Sequence, residues 1–349
     1  MLEFLFKFGK FFAFTPPSLQ IKAPTKSEKI WAFFIIFFHT VSLAIAMYYR
    51  AGYYSQYIHL NLVITAIIDS SLYILNIYII VVSLTQRSDW LILIQSLGVT
   101  KKRTKFWWFL IFNLLFWTVI INMSYTFTTL HSWEFYKKYS NEYFLLYVQF
   151  LTSVLVCTIL GKLKSRYESI KGVLIYHISR ARKFNKSNFS LVFLQSLKYD
   201  LSVLKDGVDS FNVIFGWPFL LIFIFVSLQD LAYLDSFFKL KNPTVVLSNF
   251  LMMAMITLEI AVPIWLCDLV VLESEEILAA SYRLQRYLND KENSELEKFI
   301  KVAKANFPKF SAARFCLIER NTLYKIFETV STVLIIMIQF NPDLKRNVN

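Results

Sequence analysis

The chain has 349 residues, 56% of them hydrophobic and 17% charged, with 35 phenylalanines, a mean hydropathy of +0.48 and a formal net charge of +13. A soluble domain of this length has no use for so much apolar surface, so the composition assigns the chain to the bilayer. The charges gather in blocks between apolar runs, which accounts for the basic balance by topology and anionic inner-leaflet lipid and leaves no need for nucleic acid.

The first segment, 1–30, opens with an apolar stretch from Met1 to Phe14 that Lys7 and Lys10 interrupt. No small-residue cleavage site follows, so it reads as an amphipathic segment lying on the inner membrane face. Seven apolar runs come next, over 31–49, 57–84, 106–130, 143–161, 211–236, 244–272 and 322–340. Each is about 19 residues or longer, which at ~1.5 Å per residue is enough to cross ~30 Å of hydrocarbon. The second carries Asp69 and Asn76, and the sixth Glu259 and Pro263.

Basic residues set the orientation. The segments 1–30, 85–105, 162–210 and 273–325 hold 30 of the 37 Lys and Arg residues, and the opposite side holds the other seven, Arg50 among them. The positive-inside rule puts the N-terminus in the cytosol and the C-terminus outside. The chain is therefore expected to be an all-α integral membrane protein with seven transmembrane helices. Its parts are spans one to four (31–161), spans five and six (211–272), and a seventh span with a short outer tail (322–349). Between them, 162–210 and 273–321 show helical apolar spacing, with Leu174, Ile178, Leu194, Leu197 and Leu201 in the first and Ile277, Leu284, Leu288 and Leu296 in the second. Such helices must bury their apolar faces, so spans four to six are expected to project inward as a packed cytosolic base.

Cys157 and Cys267 fall in spans and Cys316 in the cytosol, which leaves no outer disulfide. The sequons at Asn122, Asn185 and Asn188 fall in a span or on the cytosolic side, so none is expected to carry a glycan. Enzyme chemistry has no support: His39, His59, His131 and His177 are scattered, and there is no G-x-S-x-G, Walker loop or H-E-x-x-H. A secondary transporter is a second class to weigh, because Asp69 and Glu259 are ionisable groups within the membrane, but no inverted repeat is evident.

The polar residues of the outer half are the ligand-pocket candidates. They are Trp117, Asn122 and Tyr125 in span three, Gln149 in span four, and Gln229, Asp230 and Tyr233 in span five, with Asp69 and Glu259 near mid-membrane. Amides, acids and aromatic faces together suit a hydroxylated molecule or an alkaloid cation. Each residue alone has a plainer use in an interhelical hydrogen bond. In the last run Lys325, Glu328, Thr332, Ile336 and Gln339 fall on one helical stripe, while Leu334, Met337 and Ile338 lie elsewhere. A helix with one polar stripe lines a water-filled path or forms a polar seam with a neighbour.

Phe310-Ser311-Ala312, Phe315, Asn321 and Leu323, then Thr332, Val333, five apolar residues and Gln339-Phe340, resemble the C-terminal signature of insect gustatory receptors. The stretch Asn212 to Leu220 resembles that family's entry to the fifth span. The signature tyrosine is replaced by Val333, and odorant receptors share the seven-span inverted plan, although the Gln-Phe ending favours the gustatory branch. The resemblance implies a ligand-gated cation channel in the plasma membrane of a sensory neuron dendrite, assembled as a homotetramer. It implies a small-molecule tastant and membrane lipid as partners, with no cofactor. The pore would be lined by the seventh span, with Thr332 and Ile336 along it and Gln339 and Phe340 at the outer gate. Sugar receptors of this family usually carry a glutamate where Leu334 stands here, which tilts the expected ligand towards a non-sugar, bitter compound, with a sugar-sensing receptor as the alternative.

Overall fold

The computed structural model describes all residues except 1, 17–22, 55–58, 99–105, 185–190, 240–241, 289 and 341–349. The side chains of 53–54, 59–61, 106, 131, 181–184, 191–192, 238–239, 291 and 336–340 also lie outside the described set. The order of elements is α1 (Leu2–Phe11), α2 (Lys26–Tyr54), α3 (His59–Thr85), α4 (Arg87–Leu97), α5 (Phe106–His131), α6 (Glu134–Phe184), α7 (Leu191–Lys239), α8 (Pro243–Gln285), α9 (Asp290–Ala305), β1 (Ser311–Ala312), β2 (Cys316–Leu317) and α10 (Arg320–Phe340). Among the described residues, α2, α3 and α5 to α8 are long and apolar enough to cross a membrane. The expected seventh run, 322–340, coincides with α10.

Local signals fix several boundaries. Thr25 and Glu28 cap α2 reciprocally: the Thr25 amide donates to Glu28 Oε2 at 2.8 Å, and the Glu28 amide donates to Thr25 Oγ1 at 3.3 Å. The Asn242 side chain accepts from the Thr244 amide at 3.1 Å, with Pro243 at the first position of α8, where its missing N–H costs nothing. The segment 85–105, which reads as a basic loop, contains α4, whose Trp90 and Leu93 are fully buried.

Helices α6, α7 and α8 run for 51, 49 and 43 residues, about twice what hydrocarbon requires. Their surplus turns pack together with α4 and α9 at one end of the bundle. Leu163, Leu174, Leu194, Leu201, Leu204, Leu284 and Leu296 are buried there, in one core continuous with the membrane-length part. Helix α1 docks against α6 and α4, with Leu5 fully buried and the Phe6 ring edge-on to Trp90 at 5.6 Å.

At that same end a short antiparallel hairpin, β1–β2, pairs Ser311 with Leu317 and Ala312 with Cys316. Its turn holds Ala313 and Arg314 at φ 50° and 64°, a left-handed conformation that costs non-glycine residues about 1 kcal/mol or more each. Contacts to α7 compensate. Asn212 donates from Nδ2 to the Lys309 carbonyl at 2.7 Å and accepts from the Ser311 amide at 3.0 Å. One turn on, Gly216 lets the hairpin backbone approach: a Cβ there would lie 3.0 Å from the Ala313 nitrogen and 3.2 Å from the Ser311 oxygen. The clamp positions the start of α10, where Arg320 also pairs with Asp268 of α8. Asn212→Ala should loosen it by about 1–3 kcal/mol, because it removes two hydrogen bonds of about 0.5–1.5 kcal/mol each. Amide hydrogen exchange across 309–317 should then accelerate while that of α6 stays unchanged.

Candidate functional site

In hydrocarbon a polar side chain must find its partner within the protein, and the bundle joins many of its buried polar groups helix to helix. The largest cluster sits at the end opposite the hairpin. Arg50, near the end of α2, reaches across to α3 and α6 and is 6% exposed. Its Nη1 donates to both carboxylate oxygens of Asp69 at 2.9 Å, its Nη2 to Glu142 Oε2 at 2.9 Å, and its Nε to the Lys138 carbonyl at 2.7 Å. The Tyr139 ring lies under the guanidinium, 4.4 Å from centroid to Cζ. One cation therefore holds two acids and three helices. Tyr143 of α6 and Tyr233 of α7 lie near Glu142, and Gln229 stands one turn before Tyr233 on α7.

Further pairs tie α8 to its neighbours. Asn122 Nδ2 of α5 donates to Ser248 Oγ at 2.9 Å, and Thr126 shares that hydroxyl at 2.9 Å. The Asn122 amide is thus engaged between helices; the sequons at Asn185 and Asn188 lie outside the described residues. Asn249 donates to Ser236 at 2.9 Å, and Thr257 donates to Asp230 Oδ2 at 3.1 Å. Deeper still, Gln149 Nε2 of α6 donates to Glu259 Oε2 at 3.1 Å. Glu259 Oε1, Gln149 Oε1 and Asp230 Oδ1 are buried with no hydrogen-bond partner.

Seven of the nine pocket candidates are thus placed at buried or half-buried joints: Asp69, Asn122, Gln149, Gln229, Asp230, Tyr233 and Glu259. Trp117 is stacked against Tyr147 with ring centroids 5.1 Å apart and stands half exposed, while Tyr125 is 71% exposed. These two face away from the polar joints. Of the pore candidates, Thr332 is exposed on α10, and the side chains of Ile336, Gln339 and Phe340 lie outside the described set. Sequence reasoning missed Glu142, Lys138, Thr126, Ser248 and Thr257. It treated Arg50 only as a marker of orientation, although a lone arginine at a span end opposite an aspartate ten residues into the next helix was a usable signal.

Two cavities matter. The larger, about 750 Å³, opens between α5, α6 and α8, is lined mainly by aromatic and aliphatic side chains, and has Glu259 on its wall. A second small void lies between α6, α7 and α8, again beside Glu259 and between Pro218 and Pro263. Each proline removes an N–H, so the carbonyls of Ile214 and Glu259 lose their normal helical donors. The middle of the bundle is therefore rich in acceptors.

The family model described as 7tm chemosensory receptor matches residues 2–343. No curated protein matches by sequence. Among solved structures, the insect olfactory receptor OR5 from Machilis hrabei superposes with a TM-score of 0.69 at 12% identity, over 97% of each chain. The same receptor in complex with eugenol gives a TM-score of 0.67 at 11% identity, again over 97% of each chain. At such identity the likeness is one of fold.

Removing the shared cation should be far worse than removing one of its acids. Arg50→Met leaves Asp69 and Glu142 without their guanidinium and should destabilise the protein by about 3–5 kcal/mol. Asp69→Asn keeps Arg50 paired with Glu142 and should cost less. Thermal unfolding of the detergent-purified variants checks the order, and an Arg50→Met protein as stable as Asp69→Asn would contradict it.

Proposed function

The chain belongs to the 7tm chemosensory receptor family, and from that membership we propose that it is a taste receptor acting as a ligand-gated cation channel. The family is one of receptors, not of enzymes. In this reading a tastant binds among the first six spans of each subunit and opens a central pore that α10 lines in a homotetramer. The 30-to-7 division of basic residues supports a cytosolic N-terminus, an outer C-terminus and a cytosolic base built from the extensions of α6, α7 and α8. The olfactory receptor solved with eugenol supports a small-molecule ligand.

One observation carries the channel reading. Of the described side chains of α10, from 320 to 335, only Val330 is buried. Tyr324, Phe327, Val333 and Ile335 are all exposed, although the helix is clamped to the bundle at its start. An apolar helix so bare in the single chain needs neighbours, and further copies of itself around an axis supply them. Its stripe of Lys325, Glu328, Thr332 and Gln339 then faces a water-filled path. The Gln339-Phe340 ending and Leu334 in the place of a glutamate favour a taste receptor for a bitter, non-sugar compound. The olfactory receptors of the same fold make an odorant-type channel the second reading.

Expressed alone in a cell that lacks taste machinery, the protein should give cation currents when a bitter panel is applied. Currents that need a G protein, or substrate uptake without conductance, would overturn the channel. Phe340→Ala should add leak current without ligand by removing an apolar constriction, and Gln339→Leu should lower single-channel conductance. Normal conductance and closure in both variants would take α10 out of the pore.

A further inference from the structure

The groove between α5, α6 and α8 has the chemistry of a binding site of its own. At about 750 Å³ it is in the range of small-molecule pockets. Trp108 and Trp265 stand at its mouth, 58% and 50% exposed, so it opens on the flank of the bundle where lipid lies, with Lys162 and Ser165 lining its end nearest the cytosolic base. Phe116 and Phe150 form its floor, with ring centroids 4.7 Å apart. Glu259 is set into this apolar wall and is 8% exposed. One of its oxygens takes a hydrogen bond from Gln149 at 3.1 Å, and the other has none. Beside it, Gln149 Oε1 is also without a partner, and Pro263 withholds the donor that the Glu259 carbonyl would have in an ordinary helix.

Three acceptors therefore converge with no donor bonded to them, one of them on a carboxyl group, and an acceptor left unpaired in hydrocarbon is costly. We propose that this groove binds a lipophilic amine, which enters sideways from the lipid and sets its nitrogen against Glu259. An ammonium supplies a donor together with the opposite charge, whereas an alcohol supplies a donor and no charge. The surrounding indole and phenyl rings suit a cation further. Lys162, at the other end of the groove, is thirteen residues along α6 from Gln149, or about 20 Å. Its charge repels an ammonium there, which orients the molecule with its nitrogen at Glu259. The hydroxyls of Ser153, Thr158 and Ser165 complete the polar lining. That occupancy opens the pore rests on the channel reading above; binding itself does not.

The test uses the full chain in phosphatidylcholine nanodiscs and a photoreactive diazirine derivative of N,N-dimethyldecylamine, beside a neutral analogue with CH in place of the nitrogen. After irradiation the amine should label peptides from 108–116, 153–165 and 255–266. Glu259→Gln should raise the concentration of N,N-dimethyldecylamine needed to displace it by about tenfold, the order of difference between a charged and a neutral hydrogen bond. Labelling by the neutral analogue should be weaker and unchanged in Glu259→Gln, which also shows that the variant is folded. A Cβ at Gly161 meets nothing within 4 Å, so Gly161→Leu starts from open space and should narrow the groove and reduce labelling by both probes. Equal labelling by amine and neutral analogue, amine labelling unaffected by Glu259→Gln, or labels mapping elsewhere would each overturn the site. Labelling as expected with no current evoked by the amine overturns gating from this groove and leaves the site standing.

Discussion

Within hydrocarbon there is no water to satisfy a stray polar group, and the arrangement of this bundle follows from that constraint. Single hydroxyls comply locally by donating to the carbonyl a turn behind, as Thr40 does to Ile36 at 2.8 Å and Thr152 to Val148 at 2.9 Å. Larger groups comply by reaching between helices, and Arg50 does so for three helices at once. Its cluster closes one end of the bundle, while leucine-rich turns of α6, α7 and α8 close the other. Between them the helices are joined by paired amides, hydroxyls and acids.

Glu259 is the exception in the middle. Half of its carboxyl group follows the rule through Gln149 and half does not. The neighbouring prolines and the open groove make the same place poor in donors and accessible from lipid. A group buried at cost without full pairing marks function more often than stability, which separates Glu259 from Asp69, whose carboxylate is bound at both oxygens.

Much of this was legible in the sequence. Hydropathy located the six membrane-length helices because an apolar run of that length has few other uses. Asp69 and Glu259 stood out because acids are rare in such runs. The partners were not legible, since Glu142 and Thr257 lie far along the chain from the groups they meet and an alignment of helix faces is a tertiary fact. The same holds for α4, where a basic composition masks one buried stripe of Trp90, Leu93 and Leu97. It holds also for the hairpin, whose two-residue strands exist because Asn212 and Gly216 receive them. Trp117 and Tyr125 shared the composition of pocket residues but fell on exposed faces of α5, and helical phase alone could not show which neighbours would cover them.

The bundle and α10 contrast in how far they satisfy themselves. The first six spans bury a continuous core, whereas α10 is tied near its start by the Asn212 clamp and the Arg320–Asp268 pair and, among its described side chains, buries only Val330. In the channel reading such a helix is completed by assembly and moves as a gated pore lining must. The most direct test is thiol accessibility at Thr332, on the polar stripe, against Leu334, on another face. With α10 as the pore lining, a charged methanethiosulfonate reagent added outside should block evoked current in Thr332→Cys, faster while the ligand is present, and spare Leu334→Cys. Equal modification of both positions, or none at Thr332→Cys during open-channel current, would contradict it.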